Sequence, residues 1–216
     1  MNKKGFFITG TDTGVGKTLF STLLIKRYNF DYWKPIQTGA SNENDTLYIK
    51  NRTYNQKNIF HKPTYIFKRP ISPHLASSYE KIPIELKRIK KPNNINPLII
   101  EGAGGIFVPL NKKNLIIDLI KKFQFPVIVV SKSILGTINH TLMTLEILRK
   151  NKIKVFGVVL NNIKNNKEGN DHAKSIEYYG KSKVLAKIPL INNINKKKIE
   201  ILSKNKFMSF FKIWKI

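Results

Sequence analysis

A glycine-rich loop set between an apolar strand and a helix limits this chain more than any other feature. The run Gly5-Phe6-Phe7-Ile8-Thr9 is short, apolar and β-rich; Gly10-Thr11-Asp12-Thr13-Gly14-Val15-Gly16-Lys17-Thr18 follows it; residues 19–27 then carry apolar side chains at helical spacing. Strand, glycine turn and helix are the context of a phosphate-binding loop. Gly14 and Gly16 let backbone N–H groups turn inward to make an anion-binding concavity. The new helix adds the positive end of its dipole. Lys17 has the reach for β- and γ-phosphates, and the Thr18 hydroxyl suits magnesium. The spelling departs from G-x-x-x-x-G-K-[ST] at one place, where Thr11 holds the first glycine position and Gly10 lies one residue earlier. The bland alternative is a glycine-rich turn with an incidental lysine. The context favours a nucleotide-phosphate site.

At 216 residues the chain has enough material for one domain with a sizeable core. A single domain over 1–216 is expected, with the segment from about 191 as its tail. No apolar run reaches the roughly 18 residues that cross a bilayer. Met1-Asn2-Lys3-Lys4 leads straight into strand and loop, so a removable signal is not expected. With no cysteine, disulfide and thiol chemistry are excluded, and the cytoplasm is the expected location. The net charge of +26 would suit a nucleic-acid or anionic-membrane partner. However, Lys, Asn and Ile are used heavily everywhere, as AT-rich codons would dictate, and the lysines are not interleaved with aromatics as in a single-strand groove. Compositional drift is the preferred reading, with neither nucleic acid nor membrane as partner.

Along the chain, Asp31-Tyr32-Trp33-Lys34-Pro35-Ile36 reads as a strand meeting a proline, followed by the turn Gln37-Thr38-Gly39. Lys34 then falls at a strand's carboxyl end, where open α/β sheets place ligands, although composition alone would make it one more surface lysine. Asp45 opens a helix; capping and metal contact are equally open to it. Residues 51–70 are basic and irregular, with a possible strand at 65–67. His74, in Ser72-Pro73-His74, reads as a helix-start residue rather than a base. A charged helix is expected over 84–91. Pro97-Leu98-Ile99-Ile100-Glu101 is a buried-type strand ending in an acid, followed by Gly102-Ala103-Gly104-Gly105: the shape of a Walker B strand facing magnesium. An amphipathic helix over 115–123 and an apolar strand over 126–131 come next. Helix 135–151 follows, with Asn139 and His140 as possible caps in its first turn. Strand 154–160 ends at Asn161-Asn162, a helix over 171–179 follows, and strand 184–188 ends before Pro189. The tail, 199–216, reads as one packed helix. Strands alternating with helices predict an α/β, P-loop NTPase-like fold: a doubly wound, mostly parallel sheet with helices on both faces.

Taken in order, the loop, Trp33-Lys34-Pro35-Ile36-Gln37-Thr38-Gly39, Ser72-Pro73-His74, Glu101-Gly102-Ala103-Gly104-Gly105, Leu135-Gly136-Thr137-Ile138-Asn139-His140 and Ile188-Pro189 resemble the ATP-dependent dethiobiotin synthetases of biotin biosynthesis. The resemblance implies a homodimeric ligase that closes a cyclic urea from 7,8-diaminononanoate, carbon dioxide and ATP, through a carbamate and its phosphorylated anhydride. By position it implies Thr18, Asp45 and Glu101 as magnesium ligands, Lys17 on the phosphates and Lys34 as the catalytic lysine. Gly14, Val15, Gly16, Leu19, Gly102, Ala103, Gly104, Asn162, Ile188, Pro189 and Leu190 would complete the ATP site, with Asn161 on the adenine. Thr13, Thr38 and Gly105 would meet the diamine, and Asn139 its far carboxylate across a dimer. Residues 164–183 depart from the family pattern: aligned on His172-Ala173 the family tyrosine falls on Ser175, with Tyr178 and Tyr179 nearby. After Pro189 the family's further adenine contacts meet Asn192-Asn193-Ile194-Asn195-Lys196-Lys197-Lys198, which leaves base selectivity open. The competing readings are another P-loop ATPase or amide ligase, and a basic nucleic-acid-binding protein.

Overall fold

In a computed structural model, residues 5–40, 44–55 and 57–204 are described. Seven strands form one sheet: β1 (Gly5–Gly10), β2 (Asp31–Trp33), β4 (Phe60–His61), β6 (Leu98–Gly105), β7 (Val127–Lys132), β8 (Val155–Ile163) and β9 (Val184–Pro189). Their order is β4-β2-β6-β1-β7-β8-β9, and every pairing is parallel. Parallel strands must be covered on both faces, which is why β1 and β7 read as unbroken apolar runs. Alternate side chains serve opposite faces. Phe6, Ile8 and Ile99 join α1 (Lys17–Tyr28), α2 (Asp45–Thr53) and α7 (Lys196–Lys204) in one core. Phe7, Ile100 and Val129 join α4 (Ile116–Phe123), α5 (Thr137–Lys150) and α6 (Asn166–Gly180) in the other.

The chain winds outward from β1 to β2 on one side and to β7, β8 and β9 on the other, so the carboxyl ends of the central strands bound a crevice. The doubly wound expectation holds.

Several elements differ from the sequence reading, each for an identifiable physical reason. The strand expected over 31–36 breaks: β2 stops at Trp33, and Ile36–Gln37 (β3) pairs instead with Tyr65–Ile66 (β5) in a small separate sheet. Pro35 has no N–H for a ladder, and its carbonyl accepts from Thr64 and Tyr65 N–H groups. The break lifts Lys34 out of the sheet and into the crevice. The helix expected over 84–91 is only a 3-10 turn, Leu86–Arg88. Ile84 and Ile89 are both buried, and a spacing of five does not fall on one helical face, so an extended path is needed to seat both. The helix of 171–179 is longer, Asn166–Gly180, with Asn165 as its cap. Helix α3 (Pro73–Tyr79) has His74 in its first turn, as expected. Of the tail helix, α7 is described over Lys196–Lys204, and residues 205–216 lie outside the described residues.

Candidate active site

The loop after β1 is held open by two left-handed glycines, Gly14 (φ 69°) and Gly16 (φ 101°). Gly16 is also required by space. A Cβ there would sit 1.9 Å from the Asn161 amide nitrogen, which donates to the Val15 carbonyl at 2.9 Å. Lys17 opens α1 and folds back over the loop, its Nζ 2.9 Å from the Asp12 carbonyl. Burial brings its pKa down to about 8, partly offset by the negative charge of Glu101.

Beside the loop, three oxygen-bearing side chains converge. Thr18 Oγ1 lies 2.9 Å from Asp45 Oδ1 and 2.8 Å from Glu101 Oε1. Asp45 begins α2, but the neighbouring Asn44 caps that helix by accepting from Leu47 N–H at 2.9 Å. Asp45 is therefore free to face the crevice. Glu101 is 1% exposed in β6. The Lys34 ammonium donates to Asp45 and reaches Glu101 Oε1 at 3.3 Å. Burial alone would lower the Lys34 pKa; the Glu101 and Asp45 carboxylates outweigh it and hold the lysine above its ordinary value. Burial would raise Asp45, yet the Lys34 charge and hydrogen bonds from Lys34, Thr18 and Gln37 bring it below the usual carboxylate range.

Lys17, Thr18, Lys34, Thr38, Asp45, Glu101, Ala103 and Gly104 line one cavity of about 500 Å³, together with Thr13, Gly14 and Gly16. A second cavity of about 610 Å³ lies against it, sharing Val108. Its walls are mostly apolar (Ile106, Phe107, Pro109, Met143, Ile147), with Thr11, Asp12 and Gly105 at the loop end and His140 on α5.

Not every predicted site residue reaches these cavities. Asn161, Asn162, Ile188, Pro189 and Leu190 sit at the ends of β8 and β9, beyond the loop; Leu190 N–H donates to the Ile163 carbonyl at 2.9 Å. Ile188 is buried in the core, whereas Pro189 and Leu190 are exposed. Asn139 and His140 are exposed in the first turn of α5, but neither caps it: Gly136 is the N-cap, without a side-chain bond. Gly102 packs within β6, where a Cβ would lie 3.0 Å from the Phe7 ring. Sequence reasoning missed Ser21 and Tyr32, whose hydroxyls donate to Glu101 Oε2 at 2.8 and 3.1 Å. Ser21 was detectable one helical turn after Thr18; Tyr32 needed the strand register.

Fold and loop together define a P-loop nucleotide-binding α/β protein. Solved structures agree on the fold: a ParA family ATPase from Chlorobium tepidum TLS (TM-score 0.55, 12% identity, covering 98% of this chain and 91% of that one) and a putative plasmid partition protein from Borrelia burgdorferi B31 bound to AMPPNP (TM-score 0.56, 12% identity, 99% and 98%). A family model described as an AAA domain matches residues 4–198. The ATP-dependent dethiobiotin synthetase BioD of Lawsonia intracellularis is 45% identical over 88% of this chain and 90% of its own length. That of Paramagnetospirillum magneticum is 43% identical over 86% and 87%. The biotin biosynthesis bifunctional protein BioCD of Bordetella avium is 41% identical over 93% of this chain, which spans 43% of that longer protein. The chain belongs to the ATP-dependent dethiobiotin synthetase family.

Proposed function

We propose that this protein closes the cyclic urea of dethiobiotin from 7,8-diaminononanoate, carbon dioxide and ATP. The observation that carries the reading is the junction of two cavities: a cationic, carboxylate-lined phosphate site opening beside an apolar chamber. One amine adds to carbon dioxide and loses a proton, giving a carbamate. A carbamate oxygen attacks the γ-phosphorus and ADP leaves. The second amine then attacks the carbamoyl carbon and phosphate departs.

Each stage gathers negative charge near Lys17 and Lys34, and these buried, fixed cations stabilise charge as it develops. Lys17 holds the β- and γ-phosphates from inside the loop. Lys34, carried out of the sheet by the break at Pro35, faces the carbamate. The hydroxyl of Thr18 and the carboxylates of Asp45 and Glu101 are hard oxygen donors, matched to magnesium, and these three would hold the ion. When bound it supplies charge neutralisation between the phosphates and the carboxylates. Thr13, Thr38 and Gly105 border the place where the diamine end would lie, and the apolar walls suit its alkyl chain. Asn161, Asn162, Ile188, Pro189 and Leu190 would surround the adenine.

The same reading includes a homodimer. Phe107, Leu135 and Met143 are exposed apolar residues around the chamber and the start of α5. A second copy covering them would bring its Asn139 to the substrate carboxylate. Among the described residues no helix is long and apolar enough to cross a membrane; a cytoplasmic location is part of the proposal.

The test uses purified protein with ATP, magnesium and bicarbonate, with diaminononanoate present or omitted. ADP release should require both the diamine and bicarbonate. ADP release indifferent to the diamine would point to another P-loop ATPase. Tight, salt-sensitive DNA binding without diamine-dependent turnover would favour the nucleic-acid alternative.

A further inference from the structure

We propose that Tyr32, together with Ser21, is a positioning residue that makes Glu101 a one-oxygen ligand and thereby tunes this site to magnesium over larger divalent cations. The proposal rests on the assignment of Glu101 to the ion.

The two Glu101 oxygens have different surroundings. Oε1 faces the crevice, where Thr18 Oγ1 is at 2.8 Å and Lys34 Nζ at 3.3 Å. Oε2 faces inward and accepts from Ser21 Oγ at 2.8 Å and Tyr32 OH at 3.1 Å. All four partners follow from the fold. Thr18 and Ser21 lie one turn apart on the same face of α1, so successive turns of that helix grip the two oxygens. Tyr32 pairs with Ile99 across β2 and β6, and Glu101 is two residues past Ile99 on the same face. The tyrosine ring runs along the strand to reach it, inside a core where Tyr32 is 0% exposed.

A carboxylate held by two hydroxyls on its inner oxygen cannot swing to present both oxygens to the crevice without breaking those bonds. Calcium commonly takes carboxylates through both oxygens in a larger, looser shell; magnesium takes fewer ligands in a tight octahedron. Fixing the inner oxygen therefore works against the wider ion. Partners that orient a ligand typically change metal affinity by about 10–100-fold.

The experiment compares wild type with Tyr32→Phe, which keeps the ring and removes one hydroxyl, and with Ser21→Ala as a second variant. Magnesium and calcium are each titrated in competition with manganese in the ADP complex, followed by electron paramagnetic resonance; ADP binding is also measured without metal. The expected result is about tenfold weaker magnesium binding in Tyr32→Phe, with calcium binding unchanged or tighter and metal-free ADP binding unchanged. A general loosening would weaken both ions in parallel; that outcome, or no change in either ion for both variants, overturns the proposal. Glu101→Gln separates the two levels. If it leaves magnesium binding intact, the ion assignment itself fails. If it abolishes binding while Tyr32→Phe and Ser21→Ala bind as wild type does, only the positioning role fails.

Discussion

Glu101 and Asp31 are both carboxylates sealed inside the protein, at 1% and 0% exposure, at opposite ends of the stretch over which β2 and β6 pair: Asp31 opens it, and Glu101, midway along β6, lies one residue past its last pair. Asp31, at the amino end, is saturated by its own chain. Its oxygens accept from the backbone N–H groups of Ile59, Ile95 and Asn96 and from the Asn96 side-chain amide, at 2.8–3.0 Å. Two separate segments, at Ile59 and at Ile95-Asn96, are pinned to β2 by one side chain. Glu101, at the carboxyl end, is satisfied on its inner oxygen by hydroxyls, while its outer oxygen faces Thr18, Lys34 and a cavity. Burying a charge is tolerable in either way. A carboxylate closed off by amides serves the fold. One left half-open beside a lysine and a phosphate loop is placed for chemistry.

The largest expected effect lies at the half-open end. Lys34→Ala should lower diamine-dependent ADP release by about a hundredfold or more, the scale of a lost electrostatic stabiliser, while ADP binding survives because Lys17 and the loop backbone are untouched. Unchanged ring closure in that variant would remove Lys34 from the mechanism. At the closed end the loss should appear as stability instead. Asp31→Asn places an amide N–H₂ against donors and should cost about 3 kcal/mol in denaturant unfolding, with turnover per folded molecule near wild type. If Asp31→Asn impaired catalysis without destabilising the fold, the division between the two carboxylates would collapse.

These ends were unequally legible in the sequence. Glu101 stood out because an apolar run ending in an acid before glycines has few structural uses. The phosphate loop, Lys34 and the parallel sheet were readable for the same reason: short-range spelling sets them. Asp31 read as no more than the start of a strand, since its partners lie 28 and about 65 positions away. Tyr32 was equally silent, because its role depends on the β2–β6 register and not on spacing. The false helix over 84–91 shows the opposite failure. Its charged residues suit a helix locally, but the burial of Ile84 and Ile89 in the core overrides that preference. The strand breaks at Pro35 for a local reason, a residue with no N–H for the ladder, and that break is what delivers Lys34 to the crevice.

The smallest effect sharpens the comparison where the sequence left it undecided, at the start of α2. Capping and metal contact were both open to Asp45, and the structure gives the cap to its neighbour. Asn44 takes the cap through Leu47 N–H, while Asp45 meets Thr18, Lys34 and, through its own N–H, Gln37 Oε1 at 3.2 Å. Asn44→Ala should therefore behave like Asp31→Asn in miniature: about 1 kcal/mol, the usual cost of an N-cap, or a lowering of the melting temperature by about 3 °C for a chain of this size. Diamine-dependent turnover at saturating magnesium should stay within about twofold of wild type, since so small a loss leaves α2 folded. Asp45→Ala should do the reverse, with turnover as its main loss: its helix keeps its cap, and what stability it loses comes from the ion pair with Lys34. If Asn44→Ala lost turnover as severely as Asp45→Ala, the cap would be setting the carboxylate's position, and the line between fold and chemistry would have to be drawn one residue earlier.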